Sequence, residues 1–467
     1  MTLDLDHWQD RLATLASKHG VVGATFAIGL GDETVAAATG VLSLRTGTPA
    51  TTESVFQIGS ISKVWTAVLA MQLVDEGLLD LDAPVITYLP EFRVADPEVT
   101  RQVTTRHLLS HTSGIDGDLF LDTGRGDDNL EKYVAAMADL QQNHPLGATM
   151  SYCNSGFSVL GRLVEVVRGK TWDAVLREHL LTPLGLTSAG TLPEEALLHS
   201  AAVGHITPPG SEEPELTPQW GLYRSAGPAG LIHMTAEDLL VFARMHLGSG
   251  VAADGKRVLS EASVTAMQQP QVEVPDRWTL GSHWGLGWFL MDWSGRRVYG
   301  HDGATLGQTA FLRILPDAGL AVSLLTNGGH TRELFEDLFS EVFSELAGVD
   351  LPPRPEPAAD PFAFDPADYV GHYAREGVEM SIEEDGDGLK ATMQPLGALA
   401  IVTGGEPMQL TLRPFVEHAF VARVDGEETW SPAVFFSLAN GRRYLHFGAR
   451  ATPRVDGSLA QPTELPT

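Results

Sequence analysis

Apolar and polar positions over residues 4–19 read as an amphipathic helix. Two apolar runs follow, Val21 to Leu30 and Thr34 to Gly40, joined by Gly31-Asp32-Glu33, and predict a pair of strands. From residue 60 the spacing turns helical. Val64, Val68, Met71 and Val74 share one face of a helix expected over 60–77. Further helices are expected over 104–110, 129–141, 156–168 and 235–247. Thr235 opens the last, with Asp238 three residues on, close to a capping box. Phe311 to Pro316 and Leu320 to Asn327 predict a hairpin turned by Asp317-Ala318-Gly319. Leu334 to Leu346 closes the region as a helix. Its buried side carries Leu334, Phe335, Leu338, Phe339, Val342 and Phe343. Strands at both ends with helices between them predict one antiparallel sheet and a helical insert.

The pattern then changes. Residues 351–361 hold five prolines, which predicts a stiff, extended linker. Beyond it come short alternating runs: Met380 to Glu384, Leu389 to Met393, Met408 to Leu412, Ala419 to Val424, Ala433 to Leu438 and Tyr444 to Phe447. Asp385-Gly386-Asp387-Gly388 is a strong hairpin signal between the first two. These features predict a small β-barrel over 362–467. No catalytic constellation is visible in it, so a packing role beside residues 1–350, or a role in shaping the mouth of their site, is expected.

Composition narrows the classes. A chain of 467 residues exceeds one ordinary core, and 43% apolar content is ample for globular packing. No run of about 18 uncharged apolar residues is present, so no membrane span is expected. The start, Met1-Thr2-Leu3-Asp4-Leu5-Asp6, lacks the basic head and apolar stretch of a signal peptide. The single cysteine, Cys153, excludes an internal disulfide and fits a reducing compartment. A cytoplasmic location is therefore expected. The net charge of −29 repels nucleic-acid phosphates and anionic membranes, so neither is an expected partner.

Three short segments carry candidate chemistry. Ser60-Ile61-Ser62-Lys63 places an amine one helical turn from a hydroxyl, at a helix start where free N–H groups favour developing negative charge. A lysine whose pKa is lowered by burial or by another cation can take the serine proton. Downstream lie Tyr152-Cys153-Asn154 and His301-Asp302-Gly303. In this order the three motifs resemble the Ser-x-x-Lys, Tyr-x-Asn and Lys/His-x-Gly pattern of the serine β-lactamase-like superfamily, in its class C and penicillin-binding branch. That branch also holds family VIII esterases, D-amino-acid peptidases and acyl-transfer enzymes of antibiotic pathways. His107-Leu108-Leu109-Ser110-His111-Thr112-Ser113-Gly114 and Gly227-Pro228-Ala229-Gly230-Leu231 add to the likeness, which covers about residues 10–347.

The resemblance implies an α/β (α+β sandwich) fold, a β-lactamase/transpeptidase-like antiparallel sheet flanked by helices, with a lipocalin-like barrel appended. It implies a two-step acyl transfer on an ester, amide or thioester, with Ser60 as nucleophile. The backbone N–H groups of Ser60 and Ala304 would form the oxyanion hole. Lys63 would take the Ser60 proton or hold Tyr152 as phenolate. Asn154 would orient Lys63 and bind the acyl side chain. His301 replaces the lysine common in penicillin-binding proteins. Its reference pKa near 6.5 predicts partial charge at pH 7 and weaker recognition of a β-lactam carboxylate. Pocket loops are expected around 115–130 and 205–225, with Trp220, Tyr223 and Arg224 as candidate pocket residues on the second, and Gly303 is a further candidate pocket residue. Cys153 is expected as a small core residue, and His107 and His111 as structural.

No Gly-x-Ser-x-Gly, His-Glu-x-x-His or nucleotide-binding glycine motif is present, so no metal or cofactor is expected. The expected partner is a small-molecule or peptide acyl substrate, with water or an amine as acceptor. The alternatives are an amide-forming transacylase or peptide cyclase of a secondary-metabolite pathway and, in another class, a ligand sensor that is acylated without turnover.

Overall fold

A computed structural model describes residues 3–455, apart from 209–210, 212, 398–399, 401–404 and 425–428. Three positions of the expected 205–225 pocket loop lie outside the described residues.

Helix α1 (Leu5–Lys18) starts where the Asp4 side chain accepts the His7 N–H, and it buries Trp8, Leu12, Leu15 and Ala16. Strands β1 (Gly23–Leu30) and β2 (Glu33–Ser43) form the expected hairpin, with Leu30 opposite Glu33. The remaining long strands come from the far end of the region: β3 (Phe289–Trp293), β4 (Arg296–Ala304), β5 (Thr309–Leu315) and β6 (Leu320–Thr326). β1 pairs antiparallel with β6, Phe26 opposite Leu324, so the two ends of the region meet in one sheet. Its order is Thr48–Pro49, β2, β1, β6, β5, β4, β3, His283–Trp284, Val272–Glu273. The β5–β6 turn takes a 3-10 form over Pro316–Ala318, and Gly319 closes it at φ 61°.

Because strand side chains alternate, each face of this sheet builds its own core. One face packs on α1 and on α5 (Thr331–Ala347), through Phe26, Phe311, Phe335 and Phe339. The other packs on α2 (Ser62–Asp75), α3 (Asn154–Arg168) and α4 (Ala236–Leu247). α4 has the full capping box between Thr235 and Asp238. The expected helix over 129–141 is shorter. It ends at Ala136 and tightens into a 3-10 turn over Met137–Asp139. α3 begins two residues earlier than expected, because the Cys153 sulfur accepts the Gly156 N–H and caps it.

After the proline-rich segment, eight strands form an antiparallel meander: β7 (Gly371–Arg375), β8 (Val378–Asp385), β9 (Gly388–Pro395), β10 (Met408–Val416), β11 (Ala419–Val424), β12 (Ser431–Ser437), β13 (Arg443–Phe447) and β14 (Arg450–Pro453). The Gly386-Asp387 hairpin forms as predicted, with Asp385 opposite Gly388. β7 and β14 were not foreseen, and they nearly close the sheet. Tyr373 bridges Arg454, and the Val455 N–H donates to the His372 carbonyl at 2.9 Å. Tyr369, Tyr373, Phe420 and Phe435 fill the barrel interior.

The barrel does more than pack beside the first sheet. The Tyr152 N–H donates to the Ala449 carbonyl at 2.9 Å, and the Ala451 N–H to Ser151 Oγ at 3.1 Å. The Glu376 N–H donates to Asp116 Oδ2 at 3.0 Å. Arg375 and Arg450 converge on Asp118, Arg375 at 2.5 Å and Arg450 at 2.8 and 3.1 Å. Asp118 is only 8% exposed, so this is a buried carboxylate held between two guanidinium groups.

Candidate active site

Ser60 lies in a 3-10 turn, Gly59–Ile61, that feeds directly into α2. This tight first turn places Lys63 below the serine hydroxyl, and Lys63 Nζ donates to Ser60 Oγ at 3.0 Å. Nζ is fully buried and also donates to the Ala229 carbonyl at 2.7 Å. Two neighbouring bonds clamp α2 to the same segment: Thr66 Oγ1 donates to the Pro228 carbonyl, and the Ile232 N–H to Ser62 Oγ. The Gly227–Leu231 motif thus has a physical role, since its Pro228 and Ala229 carbonyls, with the N–H of the following Ile232, fix the register of α2.

Strand β4 crosses above this turn at backbone contact. A Cβ on Gly303 would lie 1.9 Å from the Ile58 carbonyl oxygen and 2.9 Å from Ser60 N. A Cβ on Gly59, at φ 51°, would lie 2.4 Å from Ala304 N. Only glycine fits at either point. The close approach brings the N–H-bearing backbone of Ser60 and Ala304 side by side. Ser60 is half-buried and Ala304 exposed, so the pair borders solvent.

Tyr152 enters from the segment before α3. Its ring lies under Lys63, with Nζ 4.8 Å from the centroid, and stacks on His111 at 4.3 Å. Trp284 meets the edges of Tyr152, His111 and His301 at 5.7, 4.8 and 5.6 Å. On the remaining side the barrel supplies Arg450, whose guanidinium lies 5.1 Å from the Tyr152 centroid. The Tyr152 hydroxyl is buried next to Ser60 and feels its hydroxyl, but the pair falls outside standard hydrogen-bond geometry.

Burial dominates the electrostatics. Desolvation, helped by the nearby Arg450 charge, drives the Lys63 pKa well below that of a free lysine. Desolvation raises that of Tyr152, against smaller opposing effects of Ser60 and Arg450. Both groups therefore favour their neutral forms. Both shifts run against an ammonium that holds a tyrosinate and toward an amine able to accept a proton.

His301 corrects an expectation. Burial, with Lys63 nearby, lowers its pKa to about 3, so it is neutral at pH 7 and not partly charged. Its Nδ1 lies 2.5 Å from the Asp302 carbonyl, and its ring faces Phe289 and Trp284. The neighbouring Asp302 carboxylate points to the other face of the sheet, into Arg313 and Arg332.

Asn154 is also placed differently. Its amide donates to Asp118 Oδ1 at 3.3 Å, while Lys63 is oriented by Ala229. Trp220 donates its indole N–H to the Ala202 carbonyl and packs on His233, which gives it a framework role. Tyr223 is 37% exposed on the segment leading to Ala229. Arg224 is held by Asp173 and Asp127. Cys153 is buried, with its thiol pushed up to about 12, as suits a core residue.

Four residues were missed. His111, expected to be structural, is the stacking floor of Tyr152 and accepts the Cys153 N–H through Nδ1 at 2.9 Å. Its left-handed backbone, φ 57°, turns the ring inward. His107 instead caps its own helix against Thr104. Asp118, Arg375 and Arg450 form the buried ion cluster beside Tyr152. Only the family-like run around His111 carried a signal; the other three come from distant parts of the chain.

Among the described residues no cluster of three or more His, Cys, Asp or Glu side chains is arranged to hold a metal, and no helix is long and apolar enough to cross a membrane.

The chain is similar to known proteins. Residues 8–345 match the family model described as Beta-lactamase. "Penicillin-binding protein 4" of Amycolatopsis lactamdurans is 50% identical over 379 residues, 81% of this chain and 99% of that protein. "Unguisins hydrolase ungD'" of Aspergillus campestris is 24% identical across 99% of this chain and 90% of its own length. Among solved structures, SurE superposes with a TM-score of 0.76 at 30% identity, covering 96% of this chain and 99% of SurE, and it has also been solved with D-Leu. A match over the whole sheet-and-helix region, with a relative half identical over nearly its full length, places the chain in the serine β-lactamase-like family of acyl-transferring serine hydrolases.

Proposed function

We propose that the chain hydrolyses or transfers an acyl group of a small-molecule or peptide substrate through an acyl-enzyme on Ser60. The observation that carries the reading is the 3.0 Å contact between Ser60 Oγ and a fully buried lysine whose pKa is depressed. The neutral Lys63 amine takes the Ser60 proton as Oγ bonds to the substrate carbonyl carbon. The carbonyl oxygen gains the negative charge, and the Ser60 and Ala304 N–H groups receive it. When the bond to the leaving group breaks, the proton passes from Lys63, through the Tyr152 hydroxyl beside Ser60, to that group. Water or an amine then enters by the reverse path and frees the serine.

Esters and amides suit this site better than classical β-lactams. The neutral His301 offers no fixed positive charge to a β-lactam carboxylate. The similarity to a protein named Unguisins hydrolase supports hydrolysis, and the similarity to a protein solved with D-Leu supports a substrate with a D-residue near the reacting carbonyl. A second reading, in which an amine rather than water accepts the acyl group, rests on the same acyl-enzyme at Ser60.

The test is a partition experiment. The enzyme is given D- and L-leucine p-nitrophenyl esters, N-acetylated, with increasing D-leucine amide as acceptor. Release of p-nitrophenol with free acid as product supports the hydrolase. A growing amide fraction at constant p-nitrophenol release supports the transacylase. An adduct that forms and persists makes the protein a sensor. No release and no adduct with either ester refutes the catalytic reading.

A further inference from the structure

On the sheet face opposite Ser60 lies a cavity of about 490 Å³ that the proposed chemistry does not use. It sits between the end of α1, the edge of β3, α5 and the proline-rich segment. Its walls divide sharply. Trp278, Met291, Trp293, Phe335 and Leu351 give an apolar side, and basic groups give the other.

Five basic side chains, Lys18, Arg277, Arg313, Arg332 and Arg354, line the cavity with three carboxylates, Asp292, Glu336 and Asp337. Ion pairs link four of them to Glu336, Asp337 and the adjoining Asp302: Arg313 and Arg332 meet Asp302, Arg332 and Arg354 meet Glu336, and Arg354 and Lys18 meet Asp337. His19 adds a further donor to Asp337 at 2.8 Å. In a chain of net charge −29, such a local cationic excess stands out. Arg313 is 1% exposed, its guanidinium wedged between Phe289 and Phe335 at 4.9 and 4.7 Å. Its Nε–H is buried without a partner, which leaves a donor unsatisfied at the cavity wall.

We propose that this cavity is a second binding site, for a carboxylate or similar anion carried on an apolar body. The anion completes the charge balance among Arg313, Arg332 and Arg354, and the body lies against Phe335, Met291 and Trp293. The site is independent of Ser60, and its test uses no turnover.

The probe is octanoate, with octanol as its uncharged counterpart, titrated calorimetrically into the full chain. One octanoate per chain is expected, at least about tenfold tighter than octanol, since a charge-assisted contact contributes that much. Two substitutions separate charge from space. Arg354→Gln lies on a partly exposed side chain and should weaken octanoate about tenfold. Ser340→Phe keeps every charge, fills the cavity and should abolish binding. Near-UV circular dichroism checks that both variants are folded. Octanol binding as tightly as octanoate overturns the proposal. So does octanoate affinity that both folded variants leave unchanged, or the absence of saturable binding up to about 10 mM.

Discussion

Replacing Asp118 by Asn should loosen the barrel from the catalytic region without unfolding either. Asp118 is 8% exposed and accepts from Arg375, Arg450 and Asn154. The two arginines hold its carboxyl at about 2, below its ordinary 3.8, although burial alone would raise it. A displacement of that size corresponds to about 2–3 kcal/mol favouring the ionised, docked state. Removing one member of a buried ion cluster typically costs about 3–5 kcal/mol, because the partners are left buried and uncompensated. A loss of about 3 kcal/mol follows, concentrated where Arg375 and Arg450 leave the barrel. Hydrogen–deuterium exchange reads it directly. Three amides bridge the two parts: Tyr152 to Ala449, Ala451 to Ser151 and Glu376 to Asp116. Their exchange should quicken about 100-fold in Asp118→Asn, while Phe26 and Ile28 in the β1–β6 ladder keep their protection. Since the folded carboxyl lies below its unfolded value, this stabilisation is complete above about pH 4 and fades as pH falls toward 2. The wild type should therefore show the same selective loosening in acid. Unchanged exchange at the three bridging amides, or equal loss of protection in both parts, would refute the reasoning.

Other outcomes follow from the same geometry. Lys63→Met should lower kcat/KM for a p-nitrophenyl ester by about 10²–10⁴, the usual worth of a positioned base, with the fold retained. Because Arg450 helps depress the Lys63 pKa, Arg450→Gln should move the acidic limb of the kcat/KM profile to higher pH; a move to lower pH would contradict the assignment. His301 should show no imidazole titration by NMR between pH 8 and 5, since burial holds its pKa at about 3. Gly303→Ala forces β4 away from Ile58 and Ser60, and kcat should fall by about 10²–10³, the cost of one oxyanion donor.

Much of the site was legible because its parts are local. Ser60 and Lys63 lie on one helical turn, Tyr152 directly precedes the Cys153 cap of α3, and Gly303 is the strand position where backbone meets backbone. The sheet was legible from the apolar runs of β1, β2, β5 and β6 and the turn residues between them. The role of Asn154 was not, because its partner Asp118 is chosen by Arg375 and Arg450, some 260 and 330 residues further along. The charge of His301 depends on what surrounds it, and sequence order does not reveal that Trp284, Phe289 and Lys63 exclude water there. β14 is short and carries Arg450 among few apolar residues, so periodicity passes over it. The arginine that the barrel adds beside Tyr152 was illegible for the same reason, since a strand of four residues brings it in.

The central claim is that Ser60, activated by a neutral Lys63, is the acylated nucleophile. Intact-protein mass spectrometry after brief exposure to a fluorophosphonate, followed by peptide mapping, tests it most directly. The account predicts one adduct on the wild type, mapped to Ser60, none on Ser60→Ala, and a much slower one on Lys63→Met. An adduct that persists in Ser60→Ala, or that forms in Lys63→Met at the wild-type rate, would contradict it.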